Sequence, residues 1–480
     1  MTIRRRDFLP VAASAAVAAR LGADTPAVRT RQKSKSGNSG NGVLLRQYLR
    51  PDHLEEDFAY LLEFCQMTGC RELLLFTSSY EFDPSIIPPE QLAAYMARVR
   101  ALKPKAAAAN VRIYLNVLQT LGHVYLPESI RKQFGIQRRV NIEGVAGEGG
   151  CPLDPAITAY LKTIYRMYAE FGTEMMFVDD DYRYIMQGIG CFCPLHLAEA
   201  GKRIGRPVTL EEARRSVMSD SFEPDALKQA YRQVMNDAMV GLAREIEGVV
   251  HATAPSCKLG WMTGPMPFGS FGLDARQVTS AFSGGKHTPF LRPHGGMYSE
   301  RAGKETGAIL LWQSIARDLI GTDFDYYPEI ENYHYSLFSK SAQMTFLQML
   351  AQYFFGFQNL AINLYFSCDI CPDKAARDPF AIMLKDKAST FETVRKTIGP
   401  NPVIEGVRIV DDLQRCWRSR SLENGQFPFY RTLLNSGFPV GFEGNAAFQV
   451  LTGDAVLAKS DADLQDVLAR GAIKLVSTGA

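Results

Sequence analysis

Two clusters of acids carry the chemistry this chain is equipped to do. Asp179, Asp180 and Asp181 follow the apolar run Met175–Val178, and Glu329-Ile330-Glu331-Asn332 ends the run that starts at Phe324. Cleaving a glycosidic bond takes two carboxyl groups on either side of it: one protonates the leaving oxygen, the other attacks the anomeric carbon or activates water. Crowding acids together raises the pKa of some of them, which keeps one protonated near neutrality. The same triple aspartate also suits a divalent cation, so metal-dependent hydrolysis is a competing reading. Of Glu329 and Glu331, one is expected to be structural.

About ten residues past the aspartates, Cys191-x-Cys193-x₂-His196 has the tight spacing of metal ligands. Zinc favours tetrahedral Cys/His sites, and those closed by four protein ligands are structural. Cys151, in GGCPLDP just before a helix, is the best fourth ligand. Free thiols or a disulfide are the alternative. Cys368-x₂-Cys371 is a weaker pair with no visible partners, while Cys65, Cys70, Cys257 and Cys416 read as core. No organic cofactor is signalled, because no Gly-rich phosphate loop follows the first strand.

The elements that must position these groups are legible from residue 43 onward. Apolar strands at Leu44–Leu49, Glu72–Phe76, Arg112–Val117, Met175–Val178, Leu259–Met262, Phe290–Arg292, Phe324–Ile330 and Ala361–Phe366 alternate with amphipathic helices. Eight strand–helix units over about 350 residues predict a (β/α)₈ TIM barrel spanning 43–400. Chemistry in such a barrel sits at the C-terminal strand ends. That rule selects Arg46, Tyr48, Glu81, Asn116, Gln119, the aspartates, Trp261, Arg292, His294 and Glu329–Asn332. Arg46, Asn116, Trp261, His294 and Asn332 are the candidate substrate contacts. Residues 401–480 read as part of a smaller α/β domain.

The 480 residues, 46% hydrophobic, can bury a large core, and a formal charge of +2 gives no electrostatic case for nucleic acid or an anionic membrane. Arg4-Arg5-Arg6-Asp7-Phe8-Leu9 resembles a twin-arginine export signal, and RQKSKSGNSGNG reads as a linker, so 1–42 is taken as signal and linker. The expected location is periplasmic or secreted. The apolar run Pro10–Ala19 is too short to anchor the mature protein in a bilayer.

CPLDP, a helix, MFVDDDYRY and then CFCPLH together resemble glycoside hydrolase family 42, the β-galactosidase family of the large retaining-barrel clan. The resemblance implies that Cys151, Cys191, Cys193 and His196 hold a structural zinc. Laid on the family's Asp-Asn-Glu-Tyr run, Asp181 takes the acid/base position and Asp180 the asparagine's. Aspartate reaches about 1.5 Å less than glutamate, one bond length. Tyr327–Asn332 is similar to the nucleophile segment, with Glu331, nearer the strand's end, favoured over Glu329. The tail resembles the opening of the family's flavodoxin-like trimerisation domain, cut short, which leaves both a homo-oligomer and a monomer open. The expected substrate is a β-linked glycoside or oligosaccharide, galactosides among them, cleaved with retention. A carbohydrate-binding barrel without turnover is the other reading that the nonstandard acid supports.

Overall fold

A computed structural model of the protein describes residues 42–400 apart from 78–86, 123–127, 185–189, 220–224, 265–272, 301–308, 311–312, 314–315, 318–319, 334–336 and 365–372, and beyond 400 only short pieces. The expected export signal, Glu81, Cys368, Cys371 and Cys416 lie outside the described residues.

The strands are β1 (Val43–Gln47), β2 (Glu72–Phe76), β3 (Arg112–Val117), a hairpin of β4 (Arg138–Val140) and β5 (Ala146–Gly150), then β6 (Met175–Val178), β7 (Lys258–Met262), β8 (Phe290–Arg292), β9 (Asp325–Tyr326), β10 (Glu329–Glu331) and β11 (Leu360–Asn363). All but the hairpin join in one parallel sheet of order β10-β11-β1-β2-β3-β6-β7-β8-β9. Its two ends are pieces of a single stretch of chain. Pro328 has no N–H for the ladder, but its carbonyl accepts from Ala361 at 3.0 Å, while the Glu329 amide still donates to Pro293 at 3.2 Å. β9 and β10 are therefore one interrupted strand, and the sheet closes into an eight-stranded barrel. Runs such as MMFV and the LLLF that follows Glu72, apolar at every position, suit strands buried on both faces.

Three of the helices outside the barrel begin on side chains suited to the task. Asp154 caps Pro155–Glu170, Asp225 caps Ala226–Thr253, and Ser341 caps Ala342–Phe354, each accepting a backbone N–H of the first turn. In Pro155–Glu170 the buried residues Ile157, Tyr160, Leu161, Ile164, Tyr165 and Tyr168 recur at helical spacing, which turns one stripe to the core.

Inside the barrel, side chains alternate along each strand and stack in layers. Leu44, Leu74, Tyr114, Phe177, Met262, Phe290, Tyr327 and Ala361 belong to the apolar filling. Two residues earlier on their strands come Glu72 and Arg112, paired at 2.5 Å. Two residues later come Arg46, Asn116, Asp179, Arg292, Glu329 and Asn363. Gly260 is part of this packing, because a Cβ there would overlap the Phe290 ring. That ring cannot move aside, since Phe177 and Tyr327 fence it at centroid distances of 4.8 and 5.9 Å. Gly260→Ala is expected to cost about 1–3 kcal/mol by overpacking, read as a lower urea midpoint at unchanged slope.

A second, four-stranded parallel sheet comprises β12 (Val407–Val410), β13 (Val440–Gly441), β14 (Phe448–Thr452) and β15 (Val476–Ser477), in the order β13-β12-β14-β15. This is the 2-1-3-4 order of a flavodoxin-like doubly wound fold.

Candidate active site

At the C-terminal end of the barrel Arg46 is the hub. Its Nη1 lies 2.9 Å from Glu331 and 3.6 Å from Glu329, its Nη2 lies 3.2 Å from Asp179, and its Nε donates to Asn116 at 2.6 Å. Asn116 in turn donates to Asp179 at 2.6 Å. Acids from β6 and β10, separated by about 150 residues of chain, therefore grip the two ends of one guanidinium. The guanidinium lies 4.1 Å above the Phe76 ring centroid, so its flat face is covered as well. Burial alone would lower the Arg46 pKa, but Glu331, Asp179 and Glu329 outweigh that and hold it above an ordinary arginine's.

The two acid clusters are tuned in opposite directions. Burial, and then the Asp180 charge, push Asp179 up to about 7, against the pull of Arg46. Burial acts the same way on Glu329, but Arg292, followed by His294, overrides it and holds this carboxyl well below the usual range. Arg292 Nη1 is 2.6 Å from Glu329 and His294 Nδ1 is 3.1 Å from it. Arg292 Nη1 lies off the hydrogen-bonding axis, so its attraction is one of charge. The Gly295 amide supplies an aligned bond at 2.8 Å.

Asp180 is the most open of the three aspartates. Its side chain is 14% exposed and lies 3.4 Å from Arg183 and 4.0 Å from Arg292, the cation that also holds Glu329. Asp181 is buried, with Arg183 3.9 Å away. Glu331 has Asn363 3.4 Å from its other oxygen. Five carboxylates thus face three guanidinium groups.

Arg46, Asn116 and His294 meet in this cluster as the strand-end rule expects. Trp261 does not, and that expectation is corrected. Its position on β7 is out of step with the inward-facing Met262, and it packs against Tyr182 in the outer core at a centroid distance of 6.4 Å. Asn332 is also turned from the barrel axis, its amide donating to the Leu364 carbonyl at 2.6 Å. Asn363, Arg183 and Lys340 belong to the cluster and were not singled out from the sequence. Asn363 ends the eighth strand, where the strand-end rule would have found it.

Beside the aspartates, Cys151, Cys191, Cys193 and His196 converge, with one ligand atom from each within 4.8 Å of all the others, and all four are buried. The Cys151 Sγ lies 3.5 Å from Cys193 Sγ and from His196 Nδ1, and Cys193 Sγ lies 3.4 Å from that nitrogen. A zinc with Zn–S near 2.3 Å and Zn–N near 2.0 Å needs tetrahedron edges of about 3.5–3.8 Å, so the donor set fits. A disulfide needs about 2.05 Å, and all six described cysteines are free. The Tyr184 hydroxyl donates to Met235 at 2.8 Å and lies 3.4 Å from His196 Nε2, leaving Nδ1 to face the thiols. Arg139 Nη1 donates to the Arg183 carbonyl at 2.7 Å, and the carbonyl of the next residue, Val140, accepts from the Phe192 amide, between Cys191 and Cys193, at 2.7 Å. The cage is thereby tied to the acid-bearing turn.

No family model matches the sequence, and no curated protein does. Among solved structures the chain is similar to a catalytic mutant of a GH42 β-galactosidase from G. stearothermophilus, at 14% identity and TM-score 0.59 over 91% of this chain and 72% of that one. It is similar to the β-galactosidase of the psychrophilic Marinomonas ef1, at 10% identity and TM-score 0.59 over 90% and 75%. The β-galactosidase of Bacillus circulans sp. alkalophilus gives 10% identity and TM-score 0.59 over 92% and 71%. The chain has the TIM-barrel fold of these β-galactosidases. No helix among the described residues is long and apolar enough to cross a membrane.

Proposed function

We propose that the protein is a glycoside hydrolase that cleaves β-linked sugars with retention. The observation that carries this reading is the meeting of Asp179 and Glu331, from barrel strands four and seven, on the two ends of the Arg46 guanidinium. Carboxyls that share one guanidinium are close enough to flank a single sugar ring. The surplus of carboxylates favours the positive charge that builds on the sugar in the transition state.

In this reading Glu331 is the nucleophile. It ends the strand and shares Arg46 with Asp179, while the oxygens of Glu329 are engaged by Arg292, His294, Gly295 and Arg46. Asp180 is the acid/base in preference to Asp181, because it is the more exposed and shares Arg292 with Glu329. Asp179 tunes it, and Asn116 and Arg46 position both clusters. Metal-dependent hydrolysis at the aspartates is disfavoured by Arg46, Arg183 and Arg292, whose positive charges already surround them. The cysteine cage holds a structural zinc that braces the acid-bearing turn and takes no part in bond cleavage. The likeness to β-galactosidases supports galactosides as the first substrates to try, and the arginine-rich N-terminus supports export.

The test is a panel of aryl β-glycosides, with the anomer of the first-formed sugar read by proton NMR. β-Product is expected. Initial α-product would replace retention with inversion, and tight binding without turnover would favour the carbohydrate-binding reading.

A further inference from the structure

A buried lysine sits behind the strand-seven acids, in a place no sugar reaches. Lys340 is 3% exposed, and its Nζ donates to the carbonyl of Met297 at 2.7 Å, to the Gln348 side chain at 2.7 Å and to the carbonyl of Glu331 at 3.2 Å. Those three bonds use all the donors of an ammonium. Gln348 is itself buried and passes the connection on, its Nε2 donating to the Gly295 carbonyl at 3.0 Å. The Gly295 amide donates to Glu329 at 2.8 Å. A Cβ at Gly295 would overlap the Gln313 side chain and the Glu329 carbonyl, so the loop lies flat against β10.

We propose that Lys340 and Gln348 form a positioning pair that sets both strand-seven carboxyls at once, Glu331 through its own carbonyl and Glu329 through Gly295. The inference rests on the reading of those glutamates as the reactive acids. Neither member of the pair is a catalytic residue. Their work is to hold the β10 backbone and the Gly295 amide where the carboxyls need them.

The ammonium is poised. Burial pushes Lys340 down to about 7, with Glu331, Glu329 and Glu300 the charges that oppose the shift. As the amine it has two donors for three acceptors, and the arrangement loosens.

The test is a ¹³C NMR titration of glutamate carboxyls in labelled full-length protein, with Glu329→Gln identifying the Glu329 signal. Wild type should show Glu329 titrating well below the ordinary glutamate range. Lys340→Met and Gln348→Leu should each move it up by a pH unit or more, and Lys340→Arg by less. An unchanged Glu329 titration in Lys340→Met and Gln348→Leu overturns the proposal whatever happens to turnover. If Lys340→Met does not fold, Gln348→Leu decides alone. Aryl glycoside kinetics on the same samples should show kcat down at least tenfold with KM within about threefold. A wild type that cleaves no glycoside while the carboxyl shift appears would sink the hydrolase reading and leave the positioning pair standing.

Discussion

Asp180→Asn is expected to slow hydrolysis of an unactivated aryl β-glycoside by ~10²–10⁴-fold, the contribution of a positioned proton donor. The same variant should cleave a dinitrophenyl glycoside far better, because that leaving group departs without a proton. Glu331→Gln should abolish turnover of both substrates, since bond formation at the anomeric carbon is lost whatever the leaving group. Asp179→Asn has a third signature. It leaves Arg46 short of a buried partner, and breaking such a pair costs about 3–5 kcal/mol, so stability falls together with rate. Asp181→Asn with the leaving-group pattern assigned to Asp180 would return the acid role to Asp181. The pH profile gives an independent check. Asp179 is raised by burial and by Asp180, so the neighbouring pair holds its last proton up to about 7. Turnover should therefore be retained below that value and decline as pH climbs through it.

Removing the proposed zinc is expected to unfold the top of the barrel. Chelation of purified protein, or Cys191→Ser, should lower the thermal midpoint by more than about 10 °C, since structural zinc sites supply apparent binding free energies on the order of 10 kcal/mol or more. Elemental analysis should find one zinc per chain in the untreated protein and none in Cys191→Ser. Activity should fall with the fold, because Arg139 and Tyr184 tie the cage to the turn that carries Asp180. A chelated protein that melts like wild type but no longer turns over would instead revive a catalytic metal at the aspartates.

Much of this architecture can be read from the residues because a parallel barrel needs strands that are largely apolar, and ELLLF, RIYLNV and MMFV stand out between amphipathic helices. The same property hides which way each side chain points. KLGWM is buried at four of its five positions and shows no alternation, so Trp261 reads as a pocket residue until Gly260 and Phe290 fix the register. Pro328 within the seventh strand gives no hint of how the ladder passes it, and the bonds on either side of that proline decide the matter. The cage was visible through Cys191, Cys193 and His196, whose spacing is short. Lys340 was not, because its role depends on Met297 and Gln348 arriving from other parts of the chain.

The surplus of carboxylates over guanidinium groups around Arg46 has a bearing on diet. In the proposed reading, an incoming uronic acid or sulfated sugar would bring its own negative charge toward a cluster in which carboxyl groups outnumber guanidinium groups, and would be repelled at short range. Neutral saccharides meet no such barrier. Under that reading, neutral rather than acidic saccharides are the expected substrates.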